Sequence, residues 1–235
     1  MSRTILITGA SKGIGFHTAR RFLETDNGIS DIILVARESD IFSASLKVLE
    51  DLNVHGKGIH PQYVDLADRS LTIGMVKDLV QQGWQIDILV NNAGYTAPAA
   101  MQQTTFADFE RTMGVNLYAP FTIVQELLHA GNNFELIINV ASTAGITGRA
   151  GWLTYSSSKA ALIAMSAVMK EELTIYGTRV VCISPGRCAT DLRRTLAPDE
   201  DPSTIMQPEH VAAVMEMLAS DVGRFVDSQN LVVRM

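Results

Sequence analysis

Thr4-Ile5-Leu6-Ile7-Thr8-Gly9-Ala10-Ser11-Lys12-Gly13-Ile14-Gly15 passes from an apolar, β-branched run through three glycines into a helix whose apolar stripe is Phe16, Ala19, Phe22 and Leu23. Glycine lets a backbone turn tightly and approach an anion closely, while the free amides and positive dipole end of a helix start face that anion. Gly9, Ser11, Lys12, Gly13, Ile14 and Gly15 are therefore candidate ligands of a pyrophosphate. Any tight strand-to-helix turn needs glycine, so it is the position at the first such junction that gives these residues their meaning.

Outward from this turn, short β-branched runs recur at Asp31–Ala36, Gln62–Val64, Ile86–Asn91, Leu136–Ala141, Arg179–Ile183 and Leu231–Val233. Several are apolar at successive positions, as in Ile32-Ile33-Leu34-Val35, which marks strands covered on both faces. Helical stripes lie between them, Met75, Val76, Leu79 and Val80 before the fourth strand and Val211, Val214, Met215 and Leu218 near the end. Strand and helix in alternation predict a doubly wound, seven-stranded parallel sheet with helices on both faces, a Rossmann arrangement. With no linker, charge block or internal repeat, residues 1–235 read as a single domain. Ligands of such a sheet sit beyond the carboxyl ends of its strands, where the strand order reverses.

The chain has 235 residues, 47% hydrophobic and 19% charged, enough to bury one large core. Its net charge of −6 leaves no basic footprint for nucleic acid. The first apolar run is cut by Thr8-Gly9, too soon for a secretory signal, and no stretch approaches the ~18 apolar residues of a membrane span, so the cytoplasm is expected. Cys182 and Cys188 are too close to frame a useful disulfide loop and lack the spacing of a zinc site, so they read as reduced packing groups. His17, His55, His60, His129 and His210 show no ligand spacing, and no metal is expected.

Chemistry gathers at the strand ends. The second strand closes on Ala36-Arg37 where an acid would hold the 2′-hydroxyl of NAD, so Arg37, with Lys12 as a second cation, favours the 2′-phosphate of NADP(H). Asp65, Leu66 and the run Asn91-Asn92-Ala93-Gly94 follow the third and fourth strands, where Asp and Asn also serve as plain turn residues. Ser142 ends the fifth strand. Tyr155 and Lys159 share one face of the next helix, an arrangement in which an ammonium can lower a phenol's pKa by about one to three units while Ser142 holds a substrate oxygen.

Taken together, these motifs make the chain resemble the short-chain dehydrogenases/reductases over essentially its full length. The resemblance rests on Thr8-Gly9-x-x-x-Gly13-x-Gly15, Asn91-Asn92-Ala93-Gly94, Asn116, Ser142, Tyr155-x-x-x-Lys159, Pro185-Gly186 and Thr190, with thirteen positions from Ser142 to Tyr155. It implies Tyr155 as general acid/base, Lys159 tuning it and binding the nicotinamide ribose, Ser142 orienting the carbonyl and Asn116 supporting a proton-relay water. It further implies Asp65 and Leu66 at the adenine, Asn91 at its ribose, Ala93 and Gly94 beside the nucleotide, and the loop of Pro185, Gly186, Cys188 and Thr190 at the carboxamide. The activity implied is NADPH-dependent reduction of a small-molecule carbonyl to a secondary alcohol. Members of the 3-oxoacyl-carrier-protein reductase type look most alike, a polyol or sugar-phosphate reductase is the alternative, and a non-catalytic NADP-binding protein is the rival from another class.

Cys188 stands where relatives usually have a small aliphatic residue, and the segment from Asp227 to Met235 is shorter than many of theirs. Tyr95 and Trp152 could wall the substrate pocket or simply pack. Arg193 and Arg194 could grip an anionic substrate or form a solvated lid face. The runs Leu117–Leu128 and Ala160–Val168 are apolar nearly all round, which predicts association into a homodimer or homotetramer.

Overall fold

The structure, a computed structural model, describes residues 3–226 and 230–235. Strands β1 (Arg3–Thr8), β2 (Ile29–Ala36), β3 (Gly58–Tyr63), β4 (Ile88–Asn91), β5 (Leu136–Val140), β6 (Arg179–Pro185) and β7 (Leu231–Val233) form one parallel sheet in the order β3-β2-β1-β4-β5-β6-β7. The chain winds outward to β3, then returns past β1 to β4. The order reverses between those two strands, and a crevice opens beyond their carboxyl ends.

Successive apolar residues divide between the two faces as the pleat requires. Ile5, Ile7, Ile32 and Leu34 pack with helices α1 (Gly13–Glu24), α2 (Asp40–Asp51) and, later in the chain, one spanning Pro208–Ala219. Leu6, Ile33, Val35 and Leu89 face the opposite way, against α3 (Arg69–Gln81) and two helices at Ala119–His129 and Leu153–Leu173. Counting α4 (Phe106–Met113) between them, these last two are α5 and α6; α7 (Asp191–Leu196) and α8 (Pro208–Ala219) follow. The expected stripes are core: Phe22, Met75, Leu79, Val211, Met215 and Leu218 are all buried.

Three elements differ from their sequence signal. β3 begins at Gly58 rather than Gln62, because Gly-Ile-His-Pro-Gln-Tyr is a polar edge strand, where Pro61 lacks an amide without breaking a central ladder. β4 begins at Ile88; the backbone of Ile86 pairs instead with the side chain of Asn132, at 2.7 and 3.0 Å. Helix α2, which the sequence reading passed over although Phe42, Leu46 and Leu49 form its buried stripe, starts where Ser39 accepts a bond from the Phe42 amide. Of the segment beginning at Asp227, residues 227–229 lie outside the described ones, and β7 follows directly. Among the described residues no helix is long and apolar enough to cross a membrane.

Candidate active site

The glycine turn is built by close approach. Gly9 and Gly13 have φ of +69° and +58°, in the left-handed region. A Cβ on Gly9 would lie 2.8 Å from Cα of Ala93, and one on Gly15 only 2.3 Å from the Gly9 carbonyl and 2.5 Å from Nδ2 of Asn92. Polar bonds fix the same junction: Oγ1 of Thr8 accepts from the amides of Asn92 and Ala93, both at 3.0 Å, and Asn92 Nδ2 donates to the Thr8 carbonyl at 2.9 Å. Helix α1 then starts at Lys12 with no side-chain cap and no acid in its first turn, so its leading amides remain for an anion.

Every residue assigned from the sequence to cofactor, substrate or catalysis lines one cleft, except Gly15, Asn91 and Asn116. Gly15 acts by packing. Asn91 is corrected: it is buried and donates to Asn139 Oδ1 at 2.8 Å, because strand alternation turns it into the sheet and leaves its neighbour Asn92 at the cleft. Asn116, also buried, lies in a single π turn, Gly114–Tyr118, between α4 and α5. Its Oδ1 accepts from the Tyr95 amide at 2.8 Å, and its Nδ2 donates to the Tyr95 carbonyl and to Ser158 Oγ at 3.0 and 2.9 Å. Its side chain is thus spent on holding the Tyr95 loop against α6.

Ser142 and Tyr155 are brought together on one wall of the cleft, where the serine hydroxyl acts on the phenol. Ser142 Oγ also caps the short turn Thr143–Gly145, accepting from the Ala144 amide at 3.1 Å. Gly145 sets this distance. A Cβ there would meet the Lys159 carbonyl carbon at 2.6 Å and the Ala160 nitrogen at 2.7 Å, so only glycine lets the serine turn lie directly on α6. The sequence reading missed it, although its place three residues after Ser142 was visible.

Burial pushes the Tyr155 phenol up to about 12, against the hydrogen bond with Ser142 and the charge of Arg193. Burial likewise pushes the Lys159 ammonium down to about 8, opposed by Cys182. Lys159 Nζ donates to the Val140 carbonyl at 2.7 Å and stands 5.9 Å from the centre of the Tyr155 ring, while Arg193 is the cation that acts on the hydroxyl. Helical spacing put both groups on one face, but the end of β5 claimed the ammonium.

At the nucleotide end Arg37 lines the cleft just past β2. Lys12 does not join it; its Nζ is 2.7 Å from Asp191 Oδ2, across the mouth. Asp65 is partly buried, which opposes ionisation, but the Ala67 amide at 3.0 Å and Arg111 at 2.9 Å, with Arg37 behind, hold its carboxyl below the usual range. Arg111 was not foreseen, since α4 brings it in from a distant part of the chain.

Helix α7 lies over the other end. Thr190 caps it, accepting from the Arg193 amide at 3.1 Å. Arg193 grips Glu200 with two bonds of 2.5 and 2.8 Å and stacks on Trp152 at 5.5 Å, with Arg149 on the same indole at 5.3 Å. Trp152 and Tyr95 therefore wall the cleft. Arg194 is 76% exposed beside Asp191 and belongs to the solvated face. Both cysteines are free and buried, their thiols pushed up to about 11 at Cys182 and about 12 at Cys188. Among the described residues no three His, Cys, Asp or Glu side chains are grouped to hold a metal ion.

A reversing parallel sheet, a glycine turn at its first junction and Ser142, Tyr155 and Lys159 on its carboxyl edge define a dehydrogenase of the short-chain type. The short chain dehydrogenase family model matches residues 3–201, and the chain belongs to that family of oxidoreductases. It is 31% identical to the (2S)-[(R)-hydroxy(phenyl)methyl]succinyl-CoA dehydrogenase subunit BbsD of Thauera aromatica, covering 99% of this chain and 95% of that one. With the 3-oxoacyl-[acyl-carrier-protein] reductase FabG of Thermotoga maritima it shares 30% over 97% and 94%. Among solved structures, a blue fluorescent protein from a metagenomic library in complex with NADPH superposes with a TM-score of 0.84 at 29% identity, covering 98% and 96%.

Proposed function

We propose that this oxidoreductase uses NADP(H) to interconvert a small-molecule carbonyl and a secondary alcohol, working chiefly as a reductase. The observation that carries the proposal is the placement of Ser142 beside Tyr155 on the wall of the cleft that begins at the glycine turn.

The cradle fits a dinucleotide. The glycine turn lining the cleft, the uncapped start of α1, and Arg37 in place of an acid after β2 suit a pyrophosphate and a 2′-phosphate. Asp65 and Leu66 would flank the adenine, and Pro185 to Thr190 the carboxamide. The nicotinamide, when bound, supplies or accepts the hydride. Ser142 holds the carbonyl oxygen, and Tyr155 gives it a proton. A phenol with a pKa near 12 stays protonated throughout the neutral range, and an alkoxide is a stronger base than a phenolate, so the resting site is stocked for reduction. Lys159 would orient the nicotinamide ribose.

The two curated relatives named above carry acyl-CoA and acyl-carrier-protein substrates in their names, which supports a 3-oxoacyl thioester among the carbonyls accepted. We also take the outer faces of α5 and α6, where Phe121 and Val168 are exposed, as the contact between copies in a homodimer or homotetramer acting in the cytoplasm.

Tyr155→Phe should bind NADPH with unchanged affinity, followed by nicotinamide fluorescence, and lose about 10²-fold or more of carbonyl reduction. Turnover equal to an active wild type would refute the role of Tyr155, and NADPH binding by wild type with no carbonyl reduced would leave the non-catalytic nucleotide holder as the better reading. Arg37→Asp should weaken NADPH at least tenfold more than NADH; an unchanged preference would remove the phosphate argument.

A further inference from the structure

Beside the cleft lies a second cavity. Thr143, Arg149, Gly186 and Arg187 line both, and Arg234 closes the far side of the second. Its three arginines arrive on three separate segments: the β5–α6 connection, the β6–α7 connection and the residues after β7. Among the described residues no Asp or Glu side chain lines it. Arg149 rests on the Trp152 ring, and neither it nor Arg234 forms an ion pair among the described residues. Arg187 reaches Glu200 only at 3.4 Å, and both oxygens of that carboxylate are already held closer by Arg193.

This gathering runs against the composition. The chain carries 25 acidic residues and 19 Lys and Arg, so an average patch would neutralise its arginines, whereas among the described residues Glu200 is the one side-chain carboxylate paired with any of these three. Like charges brought together repel, and an anion of more than one charge relieves all three at once. Guanidinium forks pair with phosphate oxygens, and Thr143 and Thr147 on the same walls add hydroxyl donors for a tetrahedral group. Thr143 follows Ser142 directly, so the cavity adjoins the place where the carbonyl oxygen would be held.

We propose that this cavity receives the phosphate of a phosphorylated carbonyl substrate. The proposal deepens, and rests on, the reductase activity proposed above. It replaces Arg193 and Arg194 as the anion grip, since the first is engaged by Glu200 and the second faces solvent. The phosphate could belong to a sugar phosphate or to the phosphopantetheine arm of an acyl thioester.

Two substrate pairs separate those sources: D-ribulose 5-phosphate against D-ribulose, and acetoacetyl-CoA against its N-acetylcysteamine thioester, each followed by NADPH oxidation. At least one phosphorylated member should exceed its partner by tenfold or more in kcat/KM. That ratio should fall toward one in the double variant Arg149→Met, Arg234→Met, and Arg234→Lys should fall between. NADPH affinity in each variant reports that the fold is intact. Independently, inorganic phosphate titrated calorimetrically into NADPH-saturated wild type should bind saturably and lose that binding in the double variant. Phosphorylated and plain substrates turned over alike, with no phosphate binding, would overturn the site and leave the reductase standing. Phosphate binding with no reduction of any of the four carbonyls would keep the site and overturn the reductase.

Discussion

The two ends of the cleft are held by different forces. At the nucleotide end backbone meets backbone: Gly9 lies against Ala93, Gly15 against Gly9, and Thr8 and Asn92 tie the turn to the end of β4. The backbone atoms among these cannot yield by turning about a side-chain bond. At the lid end the ties run between side chains: Lys12 to Asp191 is half exposed, Arg187 reaches Glu200 from an exposed position, Arg193 holds the same carboxylate more closely, and α7 is only six residues long. Packing on the first scale resists displacements of tenths of an ångström, whereas screened ion pairs part at little cost. A ligand can therefore enter past α7 without disturbing the seat that receives it.

The sharpest way to break this contrast is Gly15→Ala, which places a methyl where 2.3 Å separates it from a carbonyl oxygen. A stability loss of about 3 kcal/mol or more in urea unfolding is expected, together with loss of NADPH binding; a variant as stable as wild type would show that the turn can relax.

Next in size is Lys159, on the wall between the two ends. Its native pKa of about 8 lies below its ordinary 10.5, so above pH 8 the native state sheds a proton that the unfolded chain keeps, and stability gains with pH. Below pH 8 the cost of burying the ammonium is felt in full. Relative to Lys159→Met, wild type should gain on the order of 1 kcal/mol between pH 8 and pH 9, and parallel curves for the two proteins would contradict the buried-ammonium account.

The smallest effect is expected at the lid. Asp191→Asn should cost under about 1 kcal/mol, a difference that fades in high salt, because both partners of the Lys12 pair are half exposed. A salt-independent loss several times larger would mean that α7 is as firmly built as the glycine turn.

What the sequence disclosed follows the same division. Central strands and the helices on them were legible because burial on both faces leaves consecutive apolar residues, as at Ile32 to Val35. The edge strand β3 was placed four residues late, since half-exposed positions leave no such mark. Glycine spacing found the turn, and the interval from Ser142 to Tyr155 found two residues that meet on the cleft wall. Spacing did not tell where a long side chain spends its charge. Lys159 bonds to Val140, Lys12 to Asp191 and Asp65 to Arg111, each a choice made by elements far apart in the chain. Gly145 could have been weighed from the sequence, but the need for it appears only once α6 is laid against the serine turn. Arg149, Arg187 and Arg234 are scattered charges until three connections fold to one rim.

The ends of the sheet carry a last consequence. One border strand contains Pro61, and the other, β7, is three residues long. Neither offers the long, flat row of unpaired amides on which a stray strand from a neighbouring molecule could dock and start a fibril. The chain can thus hold five strongly sticky inner strands at its centre while giving aggregation no template at either margin.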